Sequence, residues 1–223
     1  NIRGTEVVLE ACHQHRRKVL ITSTSEVYGK GVTVPFAEDD DRLMGPSHKL
    51  RWSYAAGKAV DECLAYAYHQ QYQLPVVIVR CFNTCGPRQS SAYGMVIPNM
   101  VQRALRNEPI LVYGDGRQSR DFTYVSDAIE ANVRAWKQAA PQSVYNIGGG
   151  SQVEVVEVIA LLEASLGLKA QVKFEPRPPG DPLRTRADAT RLATDLGYRT
   201  TVPIHEGLAS EAEWARTLYG GVR

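Results

Sequence analysis

Three short runs in this chain carry almost nothing but apolar side chains: Lys18–Thr22 (KVLIT), Pro75–Arg80 (PVVIVR) and Val144–Ile147. A strand with one wet face alternates apolar and polar residues, so runs without alternation are expected to be covered on both sides. Helical periodicity fills the stretches between them. Residues 1–15 place Val8 and Cys12 on one face, with Asn1 as the N-cap. Residues 52–73 place Val60, Leu64 and Ala67 at i, i+4 and i+7, and residues 125–139 align Val125, Ile129, Val133 and Trp136. Buried strands that alternate with helices predict an α/β fold, a parallel sheet with helices on both faces.

The second half is more polar and irregular, which predicts a smaller lobe. Helices are expected at 96–106, with Pro98 near the start, at about 188–196 and at 204–218. Val155, Ile159, Leu162 and Leu166 form a further amphipathic stripe. Strands are expected at 110–113 and 171–174, with an extended segment at 120–124. Turns are expected at 114–116 and at the triple glycine 148–150, and the proline-rich stretch 177–182 cannot be regular. The 26 basic and 24 acidic residues leave a net charge of +2, without the basic excess of a nucleic-acid footprint. The longest apolar runs are strand-length, so no membrane span is expected, and no leader pattern opens the chain. Cys12, Cys63, Cys81 and Cys85 lack zinc-finger spacing and read as small buried hydrophobes of a reducing, cytoplasmic protein, with no metal site.

Tyr54 and Lys58 stand at i and i+4 on one helix. An ammonium near a phenol favours the phenolate and would lower the Tyr54 pKa, giving a general base for a hydroxyl proton. Alone, the spacing is a weak signal that more often marks an ordinary surface pair. The run Thr22-Ser23-Thr24-Ser25-Glu26 leaves the carboxyl end of a strand, where α/β folds bind ligands, though such residues also serve as turn chemistry.

At this point the chain resembles the extended short-chain dehydrogenase/reductases that act on nucleotide sugars. The resemblance is carried by Asn1-x-x-Gly4-Thr5, Thr22 to Gly29, Tyr54-x-x-x-Lys58, Arg80-x-Phe82-Asn83-x-x-Gly86-Pro87-Arg88, Tyr113-Gly114-Asp115-Gly116, Arg120 to Asp127, Asn146-Ile147-Gly148, and Gly180-Asp181 ahead of Ala187-Asp188. It implies a Rossmann-like, doubly wound sheet plus a smaller C-terminal α/β substrate lobe. Residues 1–88 would hold the end of the NAD domain with the catalytic residues. Residues 89–223 would mainly bind the nucleotide sugar, with segments such as 120–147 returning to the sheet. It further implies Tyr54 as base, Lys58 as its tuner and ribose holder, and Thr24, Ser25 and Glu26 at the reacting sugar. Asn1, Thr22, Ser23 and Phe82 would join Tyr54 and Lys58 around NAD. Asn83, Val96, Tyr113, Arg120, Arg177, Asp181 and Arg184 would bind substrate. The Arg-Pro-Pro-Gly-Asp spacing at 177–181 is one residue longer than the family's usual form.

The implied chemistry is NAD-dependent oxidation at C4 of a UDP-hexose or UDP-hexuronate, with 4-epimerisation as the expected outcome. Decarboxylation of a UDP-glucuronate is an alternative, because Thr24-Ser25-Glu26 resembles the decarboxylase triplet, and 4,6-dehydration is a further one, although dehydratases carry Asp then Glu there. The run Tyr93 to Pro98 resembles 4-epimerases. A non-catalytic NAD-binding scaffold or sensor is the alternative of another class. A homodimer is expected. No Gly-rich dinucleotide fingerprint occurs, so the expectation is an N-terminally truncated chain lacking roughly 90 residues of that domain, with incomplete strands and no activity by itself.

Overall fold

A computed structural model describes residues 1–31, 33–92, 95–150, 152–178 and 180–219. Tyr93 and Gly94 of the epimerase-like run, and Pro179 of the proline-rich turn, lie outside the described residues. The chain begins with α1 (Ile2–Gln14), β1 (Val19–Thr24), a single 3₁₀ turn at Ser25–Tyr28, a second at Leu50–Trp52, α2 (Ser53–Tyr72) and β2 (Val76–Cys81). It continues through β3 (Thr84–Cys85), α3 (Val96–Leu105), β4 (Ile110–Tyr113), β5 (Ser119–Asp121), β6 (Thr123–Tyr124), α4 (Val125–Gln138) and β7 (Ser143–Ile147). Last come β8 (Gln152–Glu154), α5 (Val155–Leu166), β9 (Val172–Glu175), α6 (Thr190–Leu196) and α7 (Ile204–Tyr219).

The three apolar runs form one parallel sheet in the order β1–β2–β7, with Val19 opposite Val76 and Val77 opposite Ser143. Successive residues of β2 point to opposite faces and both are covered. Val76 and Ile78 meet Leu9 of α1 and Ala65 of α2, while Val77 and Val79 meet Ala128, Ala131 and Ala135 of α4 and Leu192 of α6. The fold is therefore α/β with a helical layer on each side of the sheet. β5 and β6 stay outside this sheet: β6 pairs with β3, and β5 pairs antiparallel with β8, a strand the sequence pattern does not announce. A second core joins α3, α5 and α7 with β4 through Ile97, Val101, Ile110, Val112, Ile159, Leu162, Leu208 and Ala212.

Helix faces are where sequence periodicity and structure part. The stripe of α5 is buried as expected. On α4 the large residues of the expected stripe turn outward, with Ile129 58% and Trp136 52% exposed, while alanines face the sheet. On α2 the buried residues are Ala55, Asp61, Glu62 and Ala65, and Val60 is exposed. Val8 of α1 is exposed too, and the Asn1 side chain makes no capping bond. Small residues let α2 and α4 lie close to the sheet, and the buried carboxylates of α2 have partners there.

The chief partner is Arg80. Its Nε and Nη2 donate to Glu62 Oε1 and Oε2 at 3.0 and 2.8 Å, and Nη1 donates to the Tyr28 hydroxyl at 3.0 Å and to Glu38 O at 2.8 Å. Ser23 Oγ donates to Glu62 at 2.5 Å, and the Tyr28 hydroxyl donates to Asn146 Oδ1 at 2.7 Å. This buried network ties the carboxyl ends of β1, β2 and β7 to α2 and to the loop around Glu38. Burial pushes the Tyr28 phenol up to about 12, so it stays neutral beside the guanidinium.

Candidate active site

The carboxyl ends of β1 and β2 open toward the start of α2, and that edge holds the Tyr54 group. Tyr54 is 50% exposed on the first turn of α2. Burial raises its phenol above the usual range, the Thr24 hydroxyl opposes that rise through a hydrogen bond, and the nearby charges of Glu26 and Asp61 add to it. The sequence expectation was the reverse, a phenol lowered by Lys58. Here Lys58 Nζ pairs instead with Asp61 Oδ2 at 3.2 Å, one turn on. Asp61 is fully buried, and the ammonium faces an acid inside the fold. Thr24 Oγ1 also accepts from the Glu26 N–H at 3.3 Å, which shapes the 3₁₀ turn carrying Ser25 and Glu26.

Next to this edge lies a small cleft lined by Ser25, Glu26, Asn83, Arg51, Arg120, Asp181 and Thr185, among others. Asp181 is its hinge of charge. One carboxylate oxygen meets Arg120 Nη2 at 2.8 Å and the other meets Arg51 Nη2 at 3.3 Å, while Arg177 Nη2 donates to the Asp181 carbonyl. Trp52 seats this turn. Gly180 lies against it with φ +88°, and a Cβ there would come within 3.1 Å of the indole. Asn83 Nδ2 donates to the Asp121 carbonyl at 2.8 Å, so its amide is half committed to the fold. The glycine turn serves the fold as well, since Gly149 N–H donates to Asp121 Oδ1 at 2.7 Å.

Five of the expected residues, Ser25, Glu26, Asn83, Arg120 and Asp181, thus line one cleft, near Thr24 and Tyr54. Others stand elsewhere. Ser23 is buried and spends its hydroxyl on Glu62, so that side chain is not free to meet a cofactor. Phe82 is fully buried, packed with Tyr28 and Phe36. Thr22 is exposed on β1, Asn1 is exposed at the head of α1, and Val96 and Tyr113 are exposed beyond the cleft lining. Arg184 points to solvent, and its neighbour Thr185 enters the cleft instead. The extended backbone of 184–187, bridged to Ser119 at Arg184 and to Phe36 at Ala187, alternates its side chains and causes this one-residue shift. Arg51 and Thr185 were missed. Arg51 had a signal, standing three residues before Tyr54 beside Trp52, whereas a single threonine in Arg184-Thr185-Arg186 has none.

A buried acid holds the cleft's loop from behind. Glu211 of α7 accepts the Gly86 N–H at 3.0 Å, and its other oxygen has no partner among the described residues. Burial pushes this carboxyl up to about 7. An acid whose folded pKa is raised stabilises the fold below its unfolded value, and that stability is lost as pH climbs to the folded value. Stability should therefore fall between about pH 4.5 and pH 7, by about 3 kcal/mol from this group. Burial pushes Asp121 up to about 6, which adds to the same trend. Glu211→Gln should flatten part of the fall in melting temperature over that range, and an unchanged slope would refute the assignment.

The donor set fits a dinucleotide. A phenol and an ammonium one helical turn apart, at the carboxyl edge of parallel strands, suit the ribose hydroxyls of NAD. Among the described residues no His, Cys, Asp or Glu cluster gathers to hold a metal ion, and no helix is long and apolar enough to cross a membrane.

A family model described as the NAD dependent epimerase/dehydratase family matches residues 1–148. A UDP-N-acetyl-alpha-D-glucosaminuronate decarboxylase of Bacillus cytotoxicus is 41% identical, over 98% of this chain and 70% of that protein. UDP-glucuronic acid decarboxylase 4 of Arabidopsis thaliana is 34% identical, over 93% of this chain and 46% of the longer one. Among solved structures, UDP-glucuronic acid 4-epimerase from Bacillus cereus, in complex with UDP-glucuronic acid and NAD, superposes with a TM-score of 0.89 at 34% identity. That match covers 98% of this chain and 68% of the epimerase. The chain thus spans about half of one curated relative and 70% of the other.

Proposed function

Because the chain belongs to the NAD dependent epimerase/dehydratase family, we propose that it supplies the catalytic edge and substrate cleft of an NAD-dependent UDP-sugar 4-epimerase. The observation that carries this reading is the adjacency of half-exposed Tyr54, beside Thr24 and Glu26, to a cleft holding Glu26, Arg51 and Arg120. Two guanidinium forks suit the oxygens of a diphosphate. Thr24 and Tyr54 then meet the sugar's C4 hydroxyl at the other end.

NAD, held at its ribose by Tyr54 and Lys58, would supply the hydride acceptor for C4. Tyr54, as phenolate, takes the O4 proton while the C4–H bond breaks, which leaves a 4-keto sugar. Thr24 holds the same oxygen. Lys58 binds the ribose and, drawn from Asp61, supplies the positive charge that stabilises the phenolate. For epimerisation the cleft would have to let the keto sugar turn over, and Tyr54 would return the proton to O4 as the other face is reduced. In this reading the enzyme is a homodimer through α1 and α2, whose outer faces carry the exposed Val7, Val8 and Tyr72.

A second reading rests on Glu26. A 4-keto hexuronate is a β-keto acid and can lose its carboxylate as CO2. Glu26 lines the cleft, and its charge would disfavour a second carboxylate held beside it. The 41% identical decarboxylase supports the same outcome. Incubating the enzyme with UDP-glucuronate and NAD separates the cases. An unchanged mass with a new retention time is expected for the 4-epimer, and a loss of CO2 would assign the decarboxylase. Unchanged sugar with tight NAD binding would overturn both in favour of a non-catalytic NAD-binding protein.

A further inference from the structure

Two neighbouring acids of α2, Asp61 and Glu62, are buried, and they are treated very differently. Glu62 is fully answered, since the Arg80 guanidinium and the Ser23 hydroxyl donate to it. Asp61 is 0% exposed, yet neither of its carboxylate oxygens has a hydrogen-bond partner among the described residues. Its counter-charge there is the Lys58 ammonium, 3.2 Å from Oδ2, on a side chain only 12% exposed. Buried polar groups are nearly always hydrogen-bonded, and an acid that served the fold alone would be satisfied as Glu62 is. Asp61 instead turns its whole charge on the lysine of the Tyr54 motif.

Along one face of α2, Lys58 has Tyr54 four residues before it and Asp61 three residues after it, so its ammonium can lean either way. It leans toward Asp61. Its charge also reaches the end of β2, where burial raises the Cys81 thiol and the Asn132 amide and Lys58 oppose that rise. On the other side stands Tyr54. Burial raises its phenol, the Thr24 hydroxyl opposes the rise, and Glu26, Cys81 and Asp61 add to it. Glu26 comes from the turn after β1, Cys81 from β2, and Lys58 and Asp61 from α2 itself.

We propose that Asp61 is a positioning residue that acts through Lys58, competing with Tyr54 for the one ammonium between them and holding it back from the base. The inference rests on the reading of Tyr54 as the base and names what controls it. A phenolate is favoured by a cation within a few ångströms, so the base forms when the ammonium is delivered to it, and the presence of Lys58 on the helix is not enough.

The test titrates the Tyr54 phenol directly in the full chain, with no NAD or sugar present. Tyrosines isotope-labelled at Cζ report ionisation by NMR, and the Tyr54 resonance is the one lost in Tyr54→Phe. Asp61→Asn removes the charge and keeps the shape. Its Tyr54 midpoint is expected to fall by about one pH unit, a tenfold gain in phenolate well below the midpoint, because Lys58 is released. Lys58→Met combined with Asp61→Leu removes both charges, and apolar residues often replace a buried ion pair without loss of the fold. The double variant is expected to titrate close to wild type, because the two charges offset each other at Tyr54, and it decides the question by itself if Asp61→Asn does not fold. An unchanged midpoint in Asp61→Asn would overturn the inference and leave Asp61 a structural acid. A double-variant midpoint well above wild type would overturn it by showing that Lys58 already serves Tyr54 at rest. One as low as that of Asp61→Asn would overturn it by showing that Lys58 has no part in the effect. None of these results touches the reading of Tyr54 as the base, which falls only if Tyr54→Phe keeps full turnover.

Discussion

Replacing Tyr54 by Phe should lower turnover of the NAD-loaded enzyme by roughly 10²- to 10⁴-fold, the usual contribution of a positioned general base. Phe keeps the ring and its packing on α2 and removes only the oxygen that takes the proton. NAD affinity should change little, because Lys58 remains. The structure sharpens this expectation with a pH dependence. Burial, Glu26 and Asp61 hold the phenol above its ordinary range, and Thr24 alone among its neighbours named above pulls it down. The active form is the phenolate, so kcat of the wild type should rise toward alkaline pH, and the residual rate of the Phe variant should lose that limb. Full activity in Tyr54→Phe, measured by following UDP-sugar conversion, would remove Tyr54 from the reaction.

Arg80→Met should destabilise the fold by about 3–5 kcal/mol, because it strands Glu62 as a buried, uncompensated carboxylate. For a chain of this length that corresponds to a fall in melting temperature of about 10 °C. The Ser23 hydroxyl cannot replace a bidentate guanidinium. Pairing Arg80→Met with Glu62→Leu removes both charges, and the double variant should recover much of the loss, since apolar residues of similar volume often substitute for a buried ion pair. Urea unfolding of the two singles and the double closes the cycle. Additive costs would show that the pair does not act as a unit.

The parallel sheet was legible because β1, β2 and β7 are apolar on both faces, a pattern that leaves few alternatives. Helix positions were legible for the same reason that helix faces were not. Periodicity finds a helix whichever way it faces, but the rule that large apolar residues face inward failed on α4, where Ala128, Ala131 and Ala135 take the sheet. It failed on α2 because Asp61 is held inside by Lys58, one turn away on the same helix, and Glu62 by Arg80 of β2, a pairing that sequence spacing does not reveal. At the site, motif order located the Thr24–Glu26 turn, Asn83, Arg120 and Asp181, all short-range landmarks. It could not tell that Ser23 would turn inward to Glu62, or that strand alternation would exchange Arg184 for Thr185. Those outcomes depend on pairing with segments more than 30 residues away.

The carboxylate that links Arg51 to Arg120 also decides which anions can compete for them. Held by its own backbone and by the Gly180–Trp52 contact, Asp181 is a tethered competitor for any anion that approaches those two guanidinium groups. Stray inorganic phosphate or sulfate would have to displace it to hold them. A larger ligand with further contacts along the cleft would displace it more readily. In the proposed nucleotide-sugar reading, the internal ion pairs would disfavour small anions relative to a ligand that gains further contacts along the cleft.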